Sequence, residues 1–255
     1  MKRTSITDRQ EYLDVCKEAS LDSKLFNVFR KNSEFAKVME HVNTEIGLKY
    51  FKIILNQFSG FFKCVDKFEE SDSYGGAAKD TYTLSFRFSP STLRYIKIMT
   101  DLDMLIGSLD GMDIVEIGSG YGGQSKILFD VYNIKSYTYI DLEEVLFLAK
   151  KYISNFEINA ELNFISYVDF VKHIKEKYDL IISNYAFSEC EKNIQLEYIN
   201  AVLNNSSNGY LLCNDISNMH NIDSLTKKEL LASIKQNVVV EKEEPLTHPK
   251  NYLLY

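Results

Sequence analysis

The chain of 255 residues is 45% hydrophobic and 25% charged, the balance of a folded globular protein, and no apolar run approaches the roughly 20 residues that cross a bilayer. Residues 1–110 hold 16 basic and 16 acidic groups, whereas residues 111–255 hold 13 and 20, so the net charge of −7 falls in the second part while all five arginines (Arg3, Arg9, Arg30, Arg87, Arg94) lie in the first. An acidic half without arginine excludes a broad nucleic-acid surface, which needs clustered cations to displace counterions.

The opening residues lack the apolar centre of a signal peptide. Cys16, Cys64, Cys190 and Cys213 are dispersed, as are the four histidines, without metal-ligand spacing. A cytoplasmic protein with reduced thiols and no metal is expected. Along residues 8–68 apolar side chains recur every three or four positions, as in Phe35, Val38, Met39, Val42 and Ile46, then in Tyr50, Ile53, Ile54 and Phe58. This predicts a set of helices ending near Gly60 with a brief continuation to Phe68. A polar loop follows around Ser71–Gly76, and Asp80–Phe88 alternates weakly as extended chain. Ser89-Pro90 combines an N-cap with a proline at the first helical position, opening a helix to about Leu105.

From residue 111 the texture changes. Strand-like runs over 113–117, 136–140, 161–165, 178–183 and 210–214 alternate with amphipathic stretches near 123–132, 143–154, 167–176, 192–204 and 224–236. That alternation predicts a doubly wound parallel α/β sheet. The last two runs, 238–241 and 251–255, have no helix between them and predict an antiparallel hairpin at the sheet edge. The expected organisation is a helical N-terminal cap over residues 1–88 and a Rossmann-like domain over residues 89–255.

The most informative segment is the strand Asp113–Ile117 running into Gly118-Ser119-Gly120-Tyr121-Gly122-Gly123-Gln124. Such a turn permits positive φ and lets backbone N–H groups approach a ligand. Gly118, Gly120 and Gly123 fit the G-x-G-x-x-G spacing of nicotinamide and flavin enzymes. Glu116, Gly118, Gly120 and Gly122 equally fit the acidic-x-G-x-G-x-G of S-adenosylmethionine (SAM) methyltransferases. Asp141, ending the next strand, is placed for ribose hydroxyls and serves either class. A carboxylate behind the turn suits a cationic amine and sulfonium better than a pyrophosphate, and the terminal hairpin is typical of class I methyltransferases. A nicotinamide-dependent oxidoreductase acting on a sugar nucleotide and a non-catalytic nucleoside-binding protein are the competing readings.

Glu116–Gln124, Tyr139-Ile140-Asp141-Leu142-Glu143-Glu144-Val145 and Tyr178–Glu189, most specifically its Ser183-Asn184-Tyr185-Ala186-Phe187-Ser188-Glu189 part, together resemble the sugar O-methyltransferases of bacterial surface-polysaccharide and capsule loci. The resemblance spans about residues 89–255, with Ser91-Thr92-Leu93-Arg94-Tyr95 at its upstream edge. It implies a SAM-dependent class I enzyme acting on a sugar or nucleotide-linked sugar. Glu116, Gly118, Ser119, Gly120, Gly122, Gln124, Asp141, Leu142, Asp169, Asn184 and Tyr185 are the expected cofactor contacts, Asp169 either facing the adenine amino group or capping a helix.

Methyl transfer to a hydroxyl needs an aligned oxygen and a group to take its proton. The carboxyl ends of the strands offer Glu189, Asp215, His220 and His248, with Glu189 the first choice; each also has an ordinary reading as a cap, turn or loop residue. If the acceptor oxygen is instead already anionic, as on a phosphate or phosphoramidate of a nucleotide-linked precursor, Arg87 and Arg94 become candidate acceptor contacts beside Tyr185.

Overall fold

The computed structural model describes residues 4–83 and 86–255. Of the extended stretch expected over 80–88, residues 84 and 85 lie outside the described residues. The flanking parts form a two-residue antiparallel ladder, Asp80–Thr81 with Arg87–Phe88.

The first part of the chain is helical, as its periodicity predicts. It comprises α1 (Gln10–Leu21), α2 (Ser23–Phe26), α3 (Ser33–Met39), α4 (Thr44–Gln57) and α5 (Phe61–Glu70). Short polar side chains set the starts: Asp22 caps α2, Asn32 caps α3 through Glu34 N at 2.9 Å, and Asn43 caps α4 through Ile46 N at 2.9 Å. Ser89 caps α6 (Pro90–Leu105) by accepting from Thr92 N at 3.2 Å, with Pro90 at the first helical position.

The remainder builds one seven-stranded sheet from β1 (Asp113–Ile117), β2 (Ser136–Asp141), β3 (Glu161–Ser166), β4 (Tyr178–Asn184), β5 (Ser206–Asn214), β6 (Val240–Lys242) and β7 (Asn251–Leu254). The order is β3-β2-β1-β4-β5-β7-β6, parallel across the first five positions and antiparallel at β5–β7 and β7–β6. This is the Rossmann-like sheet with an antiparallel terminal hairpin that the run pattern predicts. The crossover helices are α7 (Gly123–Val131), α8 (Glu143–Ile153), α9 (Phe170–His173), α10 (Lys192–Ala201) and α11 (Lys227–Ser233).

Two elements differ from expectation. The helix expected over 167–176 shrinks to Phe170–His173, because Ile174 turns extended (φ −75°, ψ 156°) and Tyr178 Oη accepts from Lys175 N at 3.1 Å. Strand β5 starts at Ser206 rather than 210, because backbone pairing with β4 continues under the exposed Ser207 and Asn208.

Side chains of the central strands alternate between two cores. Ile114, Tyr137, Tyr139, Leu180, Ile182, Tyr210 and Leu212 face one, shared with α1, α4 and α6–α8. Val115, Ile117, Ile140, Ile181, Leu211 and Cys213 face the other, shared with α10 and α11. Burial on both faces is what a parallel sheet between helical layers requires.

The N-terminal helices thus share the sheet's core: α1 packs on α8 and α4 on α6. They are also pinned by the buried Arg30, which donates to Glu40 Oε1 (2.5 Å), Asp72 Oδ1 (2.7 Å) and Ser89 Oγ (2.8 Å). No helix among the described residues is long and apolar enough to cross a membrane.

Candidate functional site

The strand ends of an open α/β sheet form a crevice where the order reverses, here between β1 and β4. The glycine turn sits at that point. Gly118 (φ +76°), Gly120 (φ +54°) and Gly122 (φ +90°) all adopt the left-handed conformation, but their surroundings divide their roles. A Cβ on Gly122 would meet Ile153 Cγ1 at 3.0 Å, so this glycine lets α8 pack closely and is not part of the crevice lining. Gly118 and Gly120 form its floor, together with Ser119 and Gln124.

Two carboxyls stand behind the floor. Asp141 holds the turn: its Oδ2 accepts from Gly120 N at 2.9 Å and its Oδ1 from Leu142 N at 2.7 Å. Desolvation nevertheless pushes it up to about 6. Glu116, 1% exposed, accepts one hydrogen bond from Tyr137 Oη at 2.8 Å, and burial pushes it up to about 8.

Carboxyls raised by folding hold protons that the unfolded chain has already released. Their contribution to stability is therefore full below the ordinary carboxyl range and is lost as pH rises through about 6 to 8. Glu116→Gln removes the larger of these titrations. It is expected to raise the melting temperature at pH 8.5 by about 2–4 °C, roughly 1 kcal/mol for a chain of this size, and to leave it unchanged at pH 5. Thermal scans at the two pH values check this, and equal effects at both would contradict it.

The crevice is roofed by the N-terminal part of the chain. Ser5 bridges Cys190 in antiparallel fashion, Ile6 N donates to Glu189 O (3.2 Å), and Glu191 N donates to Thr4 O (2.8 Å). A Cβ on Gly120 would overlap Met39 Cε, and one on Gly118 would overlap the Ala186 side chain. Beneath this roof remain about 100 Å³ over the glycine floor and about 40 Å³ beside Leu142 and Tyr167, both small against the roughly 300 Å³ of a ligand pocket. The flexible Met39 side chain and the 4–8 segment are the parts that must yield to a nucleoside.

Next to the crevice lies a cavity of about 480 Å³ that shares Arg94, Tyr185, Glu189, Val38, His41 and Thr7 with it. Glu189 stands between the two volumes. Asn214 Nδ2 donates to its Oε1 at 2.7 Å, and burial raises its carboxyl above the usual range. Tyr185 leaves β4 with φ +70°, a left-handed conformation that costs a non-glycine residue about 1–3 kcal/mol and recurs at functional sites. Its hydroxyl donates to the carboxylate of Glu243, which is 4% exposed and also accepts from Thr247 N (2.8 Å), Thr247 Oγ1 (2.6 Å) and Asn251 Nδ2 (2.9 Å). Gln124 Oε1, Asn184 Oδ1 and Asn214 Oδ1 are buried here without a hydrogen-bond partner among the described residues. Gln124 and Asn184 line the crevice and Asn214 the cavity beside it, so unpartnered acceptors are available to a polar ligand in both volumes.

The structure brings most of the expected residues together. Glu116, Gly118, Ser119, Gly120, Gln124, Asp141, Asn184 and Tyr185 line the crevice, and Leu142 the space beside it. Glu189, Arg94, His220 and His248 line the larger cavity, the two histidines as exposed rim groups.

Four candidates fall elsewhere. Gly122 serves helix packing. Asp215 is exposed beyond the end of β5, and Asn214 takes the inward position. Asp169 is exposed and pairs with Lys172 Nζ at 3.2 Å, away from the crevice lining. Arg87 is exposed in the two-residue ladder and lines neither volume. Asn214, His41 and Tyr50, which line the larger cavity, and Glu243, which holds the Tyr185 hydroxyl, are residues that sequence reasoning missed. Asn214 alone carried a signal, as a polar residue ending a predicted strand.

No protein-family profile and no curated protein matches the sequence. Solved structures do match in shape. Magnesium protoporphyrin IX methyltransferase from Synechocystis with bound SAH is 12% identical, over 81% of this chain and 97% of that one, with a TM-score of 0.49. An S-adenosylmethionine-dependent methyltransferase from Clostridium acetobutylicum is 12% identical, over 63% and 89%, with a TM-score of 0.47. An rRNA methylase from Streptococcus thermophilus is 17% identical, over 62% and 93%, with a TM-score of 0.45.

Proposed function

We propose that this chain is a SAM-dependent O-methyltransferase whose acceptor is a sugar or nucleotide-linked sugar hydroxyl, with Glu189 as the base. The observation that carries the reading is the pairing of a glycine floor backed by two carboxyls, the buried Glu116 and the half-buried Asp141, with a third carboxyl, Glu189, across the boundary to a separate acceptor-sized cavity.

A nicotinamide dinucleotide fits this arrangement less well. Its pyrophosphate needs the open N-terminus of the helix after the glycines. Here a Cβ on Gly123 would meet Tyr95 Cε2 at 2.5 Å and Tyr121 Oη at 2.7 Å, so side chains cover that terminus, and the Asp141 carboxylate repels an anion. A cationic amine and sulfonium draw on that carboxylate favourably, and a cation bound nearby favours ionisation of Glu116. The sugar class rests on the resemblance of the Ser183–Glu189 stretch and on the size of the cavity.

When bound, the cofactor supplies a methyl group made electrophilic by the sulfonium. The chain's own residues do the rest. Gly118 and Gly120 admit the backbone of the turn close to the ligand. Asp141, after sharing its two backbone donors, accepts from ribose hydroxyls. Tyr185, fixed by Glu243, forms the wall between donor and acceptor. Glu189 is placed to take the proton of the acceptor hydroxyl.

Calorimetric titration with S-adenosylhomocysteine and, in parallel, NADH tests the donor. Micromolar affinity for the former and none for the latter is expected, and the reverse would overturn the reading. Methyl transfer from labelled SAM to a panel of nucleotide-linked sugars tests the acceptor and separates an enzyme from a nucleoside-binding protein.

A further inference from the structure

Two arginines are buried among the described residues, and they are treated in opposite ways. Arg30, 3% exposed, is matched by two carboxylates and a hydroxyl. Arg94 is 5% exposed, yet no carboxylate among the described residues lies within ion-pair distance of it. Its Nη1 meets His41 Nε2 at 3.1 Å, its Nη2 donates to Met39 O at 3.4 Å, and its Nε has no partner. Tyr95 lies 5.5 Å from the guanidinium carbon, contributing a ring face.

His41 does not neutralise the charge. Its Nδ1 lies 3.1 Å from Val38 O and donates there, which leaves Nε2 as a neutral acceptor. A buried guanidinium with no counter-charge is costly, and the group lines both the crevice and the 480 Å³ cavity. The other basic side chains on the cavity wall, Arg9 and Lys37, are already engaged with Glu34 at 3.8 and 2.6 Å.

We propose that Arg94 is the docking group for an oxyanion, a phosphate or a carboxylate, carried by the acceptor into the cavity. The proposal rests on the methyltransferase reading only in calling the ligand the acceptor; the oxyanion site stands on the cavity and the unmatched guanidinium. Arg94 offers its planar fork to two oxygens at once, which an ammonium cannot do. It sits one and a half helical turns into α6, so the packed helix fixes its direction and no loop movement is needed to aim it.

The test uses pyrophosphate and malonate as probes, titrated into the full chain with and without S-adenosylhomocysteine. At least one probe is expected to bind, the preferred one telling phosphate from carboxylate. Arg94→Met is expected to weaken that binding at least tenfold and Arg94→Lys to weaken it less, with S-adenosylhomocysteine affinity falling by a smaller factor than the probe's in both. A second measurement guards against a merely structural arginine. Arg94→Met removes an unmatched buried charge and is expected to hold or raise the melting temperature, whereas Arg30→Met strands two carboxylates and lowers it. Failure of both probes to bind, or an equal loss of melting temperature in the two variants, overturns the oxyanion site. Failure of S-adenosylhomocysteine to bind overturns the methyltransferase reading and leaves the oxyanion result to be judged by itself.

Discussion

Gly118→Ala is expected to lower S-adenosylhomocysteine affinity by more than tenfold and the melting temperature by about 4–8 °C, the equivalent of roughly 2 kcal/mol. Two independent costs add at this position. The backbone is left-handed at φ +76°, which an alanine adopts at a cost of about 1–2 kcal/mol. The new methyl group would also overlap the side chain of Ala186 on the far side of the crevice. Ala186 follows Tyr185, whose own backbone is left-handed, so the obstacle sits on a segment that cannot relax freely.

The double change Gly118→Ala with Ala186→Gly separates the two costs. It relieves the overlap and keeps the dihedral penalty, so part of the melting temperature and part of the affinity should return. Calorimetry and thermal scans on the three variants decide the matter. Wild-type affinity in the single variant would remove Gly118 from the cofactor floor.

The sheet was legible because its strands carry their own periodicity. Val115 and Ile117 face one core while Ile114 faces the other, and both faces are apolar, so a continuous hydrophobic run bounded by glycine could be read directly. The same logic located Asp141, as a polar residue ending a buried strand, whereas Glu116 was located by its spacing to the glycines.

It failed by one residue at β5. The inward position belongs to Asn214, and Asp215, beyond it, reaches solvent. Period-two alternation makes such a slip reverse the side-chain direction.

Arg87 and Arg94 looked equivalent in sequence and differ entirely in space. The six residues between them include the cap of α6, which turns one arginine into the core and leaves the other on an exposed ladder. The roof of the crevice had no local signature at all. Ser5 meets Cys190 only through tertiary pairing, which no sequence periodicity encodes. The left-handed backbone at Tyr185 was equally hidden, since a tyrosine is among the residues least suggestive of positive φ.

Glu189→Gln is the substitution expected to act most strongly on turnover, reducing it by about 10²–10⁴-fold while leaving S-adenosylhomocysteine affinity within a factor of two. Glu189 must be ionised to accept a proton, and burial holds its carboxyl above the usual range. The rate should therefore fall as pH drops through that raised value and level off above it.

Among the described residues Asn214 Nδ2 donates to the carboxylate at 2.7 Å, and that bond favours the ionised form. Asn214→Ala removes it, so the acid limb of the pH–rate profile should move to higher pH while the plateau survives. A group with only a structural role would not shift that limb. Glu189→Gln should abolish the limb altogether.

Normal turnover in Glu189→Gln would overturn the base assignment and mean that the acceptor oxygen arrives already ionised, as a phosphate oxygen does. In that case Arg94, the unmatched cation of the same cavity, would hold the group being methylated rather than a handle beside it. The pH profile of the Arg94→Met variant then separates the two. A handle lost raises KM at every pH, whereas an ionised acceptor lost removes turnover without an acid limb to recover it.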